Sequence, residues 1–273
     1  MKGMAHIGAY KAIEEAGLRP AQIVGCSIGA LVGALIASGR KWKELVPVAL
    51  SVTRDDVVAL NRRVLLPLGL KAQSVWEGER LRNLIRREIP ANSFAELEPP
   101  LITVAVDFQT GQPVYFGTGE LRDVPLHDAV YASSALPVFF PPAKINGRYY
   151  IDGGVADPLP IDRAAEEGAD LVIAVDVGSA GEDFGGLQPE QGIAAIHQRA
   201  AAIATAHLAV RTLRGWSGPP LVYVRPKVEG YSGFEFGATP HLIEEGYRAA
   251  RRALANTEVL APFRQAAASS PNP

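Results

Sequence analysis

The chain has 273 residues, 27 Lys and Arg against 29 Asp and Glu, a formal net charge of -2, and 48% hydrophobic residues. That length holds a large domain with a substantial core, and the composition excludes a disordered, collagenous or coiled-coil chain. Near-neutral charge removes the electrostatic reason to expect a nucleic-acid partner; the single cysteine, Cys26, excludes an internal disulfide framework and a multi-cysteine metal site and points to a reducing, cytoplasmic setting.

The early chain alternates helix and strand signals. A helical pattern over 5–16 stops at Gly17, and a short apolar strand is predicted over 21–26. A helix over 28–37 follows without a linker and stops at Gly39. The apolar run 23–37 has 15 residues, fewer than the roughly 18 of a membrane-spanning helix, and reads as a buried strand entering a buried helix. Lys11, Glu14 and Glu15 interrupt the N-terminus too early for a signal peptide. Helices are predicted over 41–50 and 77–88. Between them, 51–74 reads as an irregular surface segment, with Arg62 and Arg63 beside Leu65, Leu66, Leu68 and Leu70; a leucine-rich core edge is favoured there over lipid contact.

Strands over 100–106 and 112–116 flank the hairpin-like turn Thr110-Gly111. A helix over 126–134 precedes a strand over 148–151 that ends in Asp152-Gly153-Gly154. A helix over 161–167 and a continuous apolar strand over 171–177 come next, the latter of the kind buried in parallel sheets. A glycine-rich loop over 178–189, a long helix over 191–213, a strand over 221–224 and a last helix over 241–255 complete the pattern. The interleaving predicts an α/β domain with a mostly parallel central sheet and helices on both faces, spanning 1–262, and a frayed tail over 263–273.

Gly25-Cys26-Ser27-Ile28-Gly29 has the G-x-S-x-G form in which a serine stands on a sharp strand-to-helix turn. The helix N-terminus behind it favours a developing oxyanion. Cys26 reads as a packing residue rather than a reactive thiol. A serine hydroxyl needs a base. His6, His127, His197, His207 and His241 are the available imidazoles, and none is predicted in a strand-end turn. Asp152 is the better candidate, at a strand end in a turn open enough for another backbone to approach. A lone Asp-Gly is otherwise an ordinary turn signal.

Together these residues resemble the patatin-like phospholipases of the bacterial type related to neuropathy target esterase. The elbow at Ser27 and the Asp152-Gly153-Gly154 block match the family's two catalytic motifs. Lys2-Gly3-Met4-Ala5-His6-Ile7-Gly8 resembles the segment at the end of its oxyanion loop, Ala132-Ser133-Ser134-Ala135-Leu136-Pro137 its Ala-Ser-x-Ala-x-Pro block, and Asp107 with Thr110-Gly111 its Asp-x-x-Thr-Gly turn. The likeness runs to about residue 180.

The resemblance implies a three-layer patatin-like fold, Ser27 as nucleophile, Asp152 as its activating base, and Gly3 and Met4 as part of an oxyanion hole. It implies cleavage of carboxylic esters of phospholipids or lysophospholipids through an acyl-serine, with no metal or organic cofactor. A lipid or acyl-ester substrate and peripheral membrane contact follow as expectations. The family loop reads Gly-Gly-x-Arg/Lys-Gly after a first strand, and only Lys2 and Gly3 match its last positions, so a start upstream of Met1 is expected. Lys2 could place charge near the oxyanion; Phe139 and Phe140 could line an acyl channel, though core packing is the safer reading. Two rival functions are an acyltransferase of related serine chemistry, against which Cys26 before the serine counts, and a catalytically impaired lipid-binding module.

Overall fold

The structure, a computed structural model, describes residues 2–65, 72–178, 189–231, 235–255 and 260–263. A 3₁₀ turn at Lys2–Met4 leads into α1 (Ala5–Glu15), then β1 (Ile23–Cys26) and α2 (Ile28–Ala37). The ten residues of α2 carry no charge, and seven of them are buried, as expected of a helix that is apolar all round. Next come α3 (Trp42–Ser51), the single turn α4 (Arg54–Val57) and α5 (Glu79–Glu88). In α5, Leu81, Leu84 and Ile85 face the core while Arg80, Arg86 and Arg87 are exposed. The segment expected to be irregular thus contains α4 and a 3₁₀ turn at Arg62–Leu65; Leu66, Leu68 and Leu70 lie outside the described residues, as do most of the glycine-rich stretch and the tail.

The remaining elements are β2 (Leu101–Asp107), β3 (Pro113–Phe116), α6 (Leu126–Ser133), β4 (Ala143–Ile145), β5 (Arg148–Asp152), α7 (Ile161–Glu166), β6 (Val172–Val175), α8 (Ile193–Gly215), β7 (Leu221–Val224) and α9 (Thr239–Ala253). Among the described residues, five strands form one sheet of order β1-β2-β5-β4 with β3 also paired to β2, and β6 and β7 form a second sheet. All seven residues of β2 are buried, which marks it as the centre of the first sheet.

The α/β class and the layering follow expectation, but the pairing corrects the mostly parallel sheet. Among the described residues only β1–β2 and β6–β7 are parallel; β2–β3, β2–β5 and β4–β5 are antiparallel. Tight turns impose this on β2–β3 and β4–β5, because two strands joined by a short hairpin must run in opposite directions. Thr110-Gly111 closes the first hairpin. Asn146 and Gly147, at φ 49° and 81°, close the second with the paired positive φ of a two-residue hairpin turn; β4, which this turn joins to β5, is not among the strands expected from the sequence.

One core joins α1, α2, α3, α5 and α6 to the first sheet. The second sheet is covered on one side by α1 and α9 through Ala9, Ala12, Ala249 and Ala250, and on the other by α7 and α8 through Ile161 and Ala209. No helix among the described residues is long and apolar enough to cross a membrane. Helices α1 and α9 touch backbone to backbone: a Cβ on Gly8 would stand 1.8 Å from the Ile243 carbonyl oxygen, and one on Gly246 1.9 Å from that of Ala5. Gly246→Ala must therefore push the helices apart and should lower unfolding free energy by about 1–3 kcal/mol in urea denaturation. An unchanged midpoint would show that the crossing is looser than described.

Candidate active site

Ser27 is the single residue between β1 and α2, with φ 54° and ψ −125°. Positive φ in a residue with a Cβ costs of order 1–3 kcal/mol and persists only where the surroundings over-determine it. They do so here from the end of α6. The Ser27 N–H donates to Ser133 Oγ at 2.9 Å, and Ser134 Oγ donates to the Ser27 carbonyl at 3.2 Å. Gly25 permits the reversal, since a Cβ there would meet Ala30 Cα at 2.6 Å.

Strand pairing delivers the acid. β2 lies between β1 and β5, with Cys26 opposite Val104 and Asp152 opposite Ala105, so the ends of β1 and β5 emerge together on either side of β2. Ser27 Oγ donates to Asp152 Oδ2 at 2.5 Å, and the Gly154 N–H donates to Oδ1 at 2.8 Å. The Asp152 N–H is held by the Ala135 carbonyl at 3.1 Å. Gly153 allows the turn to lie on β2, because a Cβ there would be 2.4 Å from the Val104 carbonyl oxygen. The carboxyl is buried, and desolvation lifts its pKa from the usual carboxylate range to about 6, with the bonds from Ser27 and Gly154 pulling the other way. It is then about nine-tenths ionised at pH 7 and still an effective proton acceptor.

The other expected residues sort cleanly. Gly3 and Met4 are buried in the turn before α1 and line the same cavity as Ser27 and Asp152; N–H groups of such a first turn have no partner within their helix. Burial depresses the pKa of Lys2, which lines the cavity too. Phe140 lines the cavity, whereas Phe139 packs on Trp76 with ring centroids 4.9 Å apart. Desolvation holds the Cys26 thiol well above its ordinary pKa, the opposite of a reactive thiolate.

His6 is half-buried, lines the cavity and donates through Nδ1 to the Gly3 carbonyl at 2.9 Å, and desolvation lowers its pKa. His127 bonds the Ile89 carbonyl, His207 is exposed and His241 lies against Tyr231. His197, expected to be merely packed or solvated, lines the cavity. Asp107 organises its turn by accepting from the Gln109 and Thr110 N–H groups and from Arg148.

Two features escaped the reading of single residues. The Ile28 N–H follows the elbow serine, the place from which such turns donate to an oxyanion. Ser133 and Ser134 were visible only as part of a family block, and their contact with Ser27 spans more than a hundred residues.

The cavity holds about 650 Å³, within the range of small-molecule sites. Its apolar end is walled by Leu31 and Leu35 of α2, Val48 of α3, Val57 of α4, and Leu81 and Leu84 of α5. Its other end carries Lys2, Asp176, His197 and Arg225, with Arg225 donating to Asp176 at 2.7 Å. Ser27 and Asp152 belong to the lining.

The family model of the patatin-like phospholipases matches residues 1–165. A Mycobacterium tuberculosis protein described as an uncharacterized NTE family protein is 34% identical over 174 residues, covering 64% of this chain and 45% of that one. Lysophospholipase nte1 of Aspergillus fumigatus is 25% identical over 268 residues, covering 90% of this chain and 17% of its own length. The chain thus spans less than half the length of these relatives. Among solved structures, VipD from Legionella pneumophila aligns over 93% of this chain and 65% of its own, with TM-score 0.47 and 15% identity.

Two stability measurements follow from this geometry. Ser133→Ala leaves the Ser27 N–H without its acceptor and should cost about 1–3 kcal/mol; no loss would mean that another group takes its place. Asp152→Asn should act in the opposite sense. A raised pKa means that the folded state holds an extra proton between about pH 4 and 6, so ionisation of Asp152 opposes folding above that window. At pH 8 the variant should gain about 1–3 kcal/mol, with the gain fading as pH falls to about 4. A lower melting temperature at pH 8 would contradict this account.

Proposed function

The chain belongs to the patatin-like phospholipase family, and on that premise we propose that it is a lipid acyl hydrolase working through Ser27 and Asp152. The observation that carries the reading is the 2.5 Å hydrogen bond between the strained serine and a buried carboxylate, at a cavity with an apolar end. In this mechanism Ser27 Oγ attacks the ester carbonyl carbon while its proton passes to Asp152 Oδ2. The carbonyl electron pair becomes an oxyanion facing N–H groups of Gly3, Met4 and Ile28. Removing one such donor costs an enzyme about 2.7–4 kcal/mol of transition-state stabilisation. The intermediate collapses, the ester C–O bond breaks, and Asp152 returns the proton to the departing alcohol. Water then attacks the acyl-serine, giving its proton to Asp152 and its oxygen to the acyl carbon. Ser27 leaves with that proton and a fatty acid is released.

The lining assigns the two halves of the substrate. The α2, α3 and α5 side takes the acyl chain, because it offers leucine and valine side chains. The end with Lys2, His197 and Arg225 takes the alcohol half, which for a phospholipid or lysophospholipid bears a phosphate.

Ser27→Ala and Asp152→Ala should each reduce turnover of a p-nitrophenyl acyl ester by at least about a thousandfold with the fold retained on circular dichroism. The rate should fall on the acid side with an apparent pKa near 6, as the base becomes protonated. Turnover that survives both substitutions would refute the dyad. Faster transfer to an added alcohol than to water would point to an acyltransferase, and failure of a fluorophosphonate probe to label Ser27 would point to a non-catalytic module.

Chain length gives an independent check. Val48→Phe should fill part of the apolar end and slow long-chain esters at least about tenfold while sparing acetate and butyrate esters. Equal slowing of all lengths would place the acyl chain elsewhere.

A further inference from the structure

Helix α8 inverts the usual design of a surface helix. Such a helix normally buries its large apolar side chains and shows water its polar face. Small residues dominate the inward face of α8: Ala195 and Ala209 are buried, and Ala201, Thr205 and Ala206 line the cavity beside His197 and Gln198. Its large β-branched residues point outward, with Ile193 83%, Ile196 52% and Ile203 42% exposed. Ile193, Ile196, Ala200, Ile203, His207, Arg211 and Arg214 recur at three- or four-residue spacing and are all exposed, so they form one continuous stripe. The stripe is apolar in its first half and basic in its second.

Charge identifies what the stripe meets. The 23 residues of α8 include Arg199, Arg211 and Arg214 and no Asp or Glu; the nearest acid along the chain is Glu190, ahead of the helix. In a chain of net charge -2 this is a local excess of positive charge beside exposed isoleucine. The helix also packs against the site, because the Thr205 hydroxyl, which donates to the Ala201 carbonyl at 2.8 Å, lies 3.3 Å from the carbonyl oxygen of Gly154, two residues beyond Asp152. Next to that contact Val155 is half exposed.

We propose that the outer face of α8 docks on the surface of a bilayer containing anionic lipid, setting the isoleucines among the acyl chains and Arg211 and Arg214 against the head groups. The inner face of the same helix walls the cavity, so docking brings the cavity to the bilayer surface. This inference rests on the lipid-hydrolase reading for the identity of the occupant, and it adds the surface through which substrate is met.

The test is vesicle flotation with the full chain, using phosphatidylcholine alone and phosphatidylcholine mixed with phosphatidylglycerol, beside hydrolysis of a soluble short-chain p-nitrophenyl ester. The parent should float with the mixed vesicles. Arg211→Glu with Arg214→Glu should weaken that binding about fivefold or more per residue, and added salt should mimic the change. Ile193→Glu with Ile196→Glu should abolish flotation while leaving hydrolysis of the soluble ester intact. A parent that does not float, or isoleucine variants that float as well as the parent, would overturn the proposal. A dimer seen by light scattering that the isoleucine substitutions dissolve would also overturn it, by assigning the stripe to a second copy of the chain. Flotation needs no turnover, so absence of ester hydrolysis in the parent would sink the catalytic reading separately.

Discussion

The site depends on one residue's backbone. Ser27 occupies a conformation that a side chain disfavours, and it has no room to relax because a strand ends on one side of it and a helix begins on the other. The strain is held by hydrogen bonds from two adjacent serines at the end of α6, one accepting from the Ser27 N–H and the other donating to its carbonyl. The next residue, Ala135, holds the backbone of Asp152. Three consecutive residues therefore set both partners of the hydroxyl–carboxylate pair. Their spacing is fixed by a helix end rather than by a mobile loop, which is the precision that the base proposed here requires.

Burial is the second half of the design. The Asp152 carboxylate is deprived of water, which raises its proton affinity, and is given two hydrogen bonds, which restrain that rise. A fully solvated carboxylate would be a weak base toward an alcohol; an unsupported buried one would be neutral at pH 7 and no base at all. The bond from Gly154 and the bond from Ser27 keep it between those limits. The same desolvation acts on Cys26 with a different outcome, because a thiol that is held protonated is chemically quiet. One apolar environment thus raises the proton affinity of both groups, the carboxylate and its neighbouring thiol.

Much of this was readable from the chain because it is written locally. The uncharged run behind Gly25-Cys26-Ser27-Ile28-Gly29 marked α2 with its observed limits, and Asp152-Gly153-Gly154 marked a strand end. Features that depend on distant partners were not readable in the same way. Sheet direction follows from which strands meet, and the short β4 was hidden because three residues carry too little pattern to stand out. His197 looked like any histidine in an alanine-rich helix until the packing of α8 turned it toward the cavity. The inverted face of α8 was also obscured, since its isoleucines fit a helical period whether they point in or out. Gly8 and Gly246 give no sign in the sequence that they face each other's helices, yet they set the distance between α1 and α9.

That last contact carries a consequence for how the molecule comes into being. The turn at Lys2–Met4 opens α1, and α1 is braced by α9, which ends at Ala253. Bringing those helices together closes a loop of more than two hundred residues, an entropic cost met late in folding. During synthesis the segments around Ser27 and Asp152 leave the ribosome well before the helix that secures the opposite wall. A growing polypeptide would therefore leave the turn at Lys2–Met4 unbraced until α9 has been translated, and a molecule cut short before that helix would release the turn from its brace.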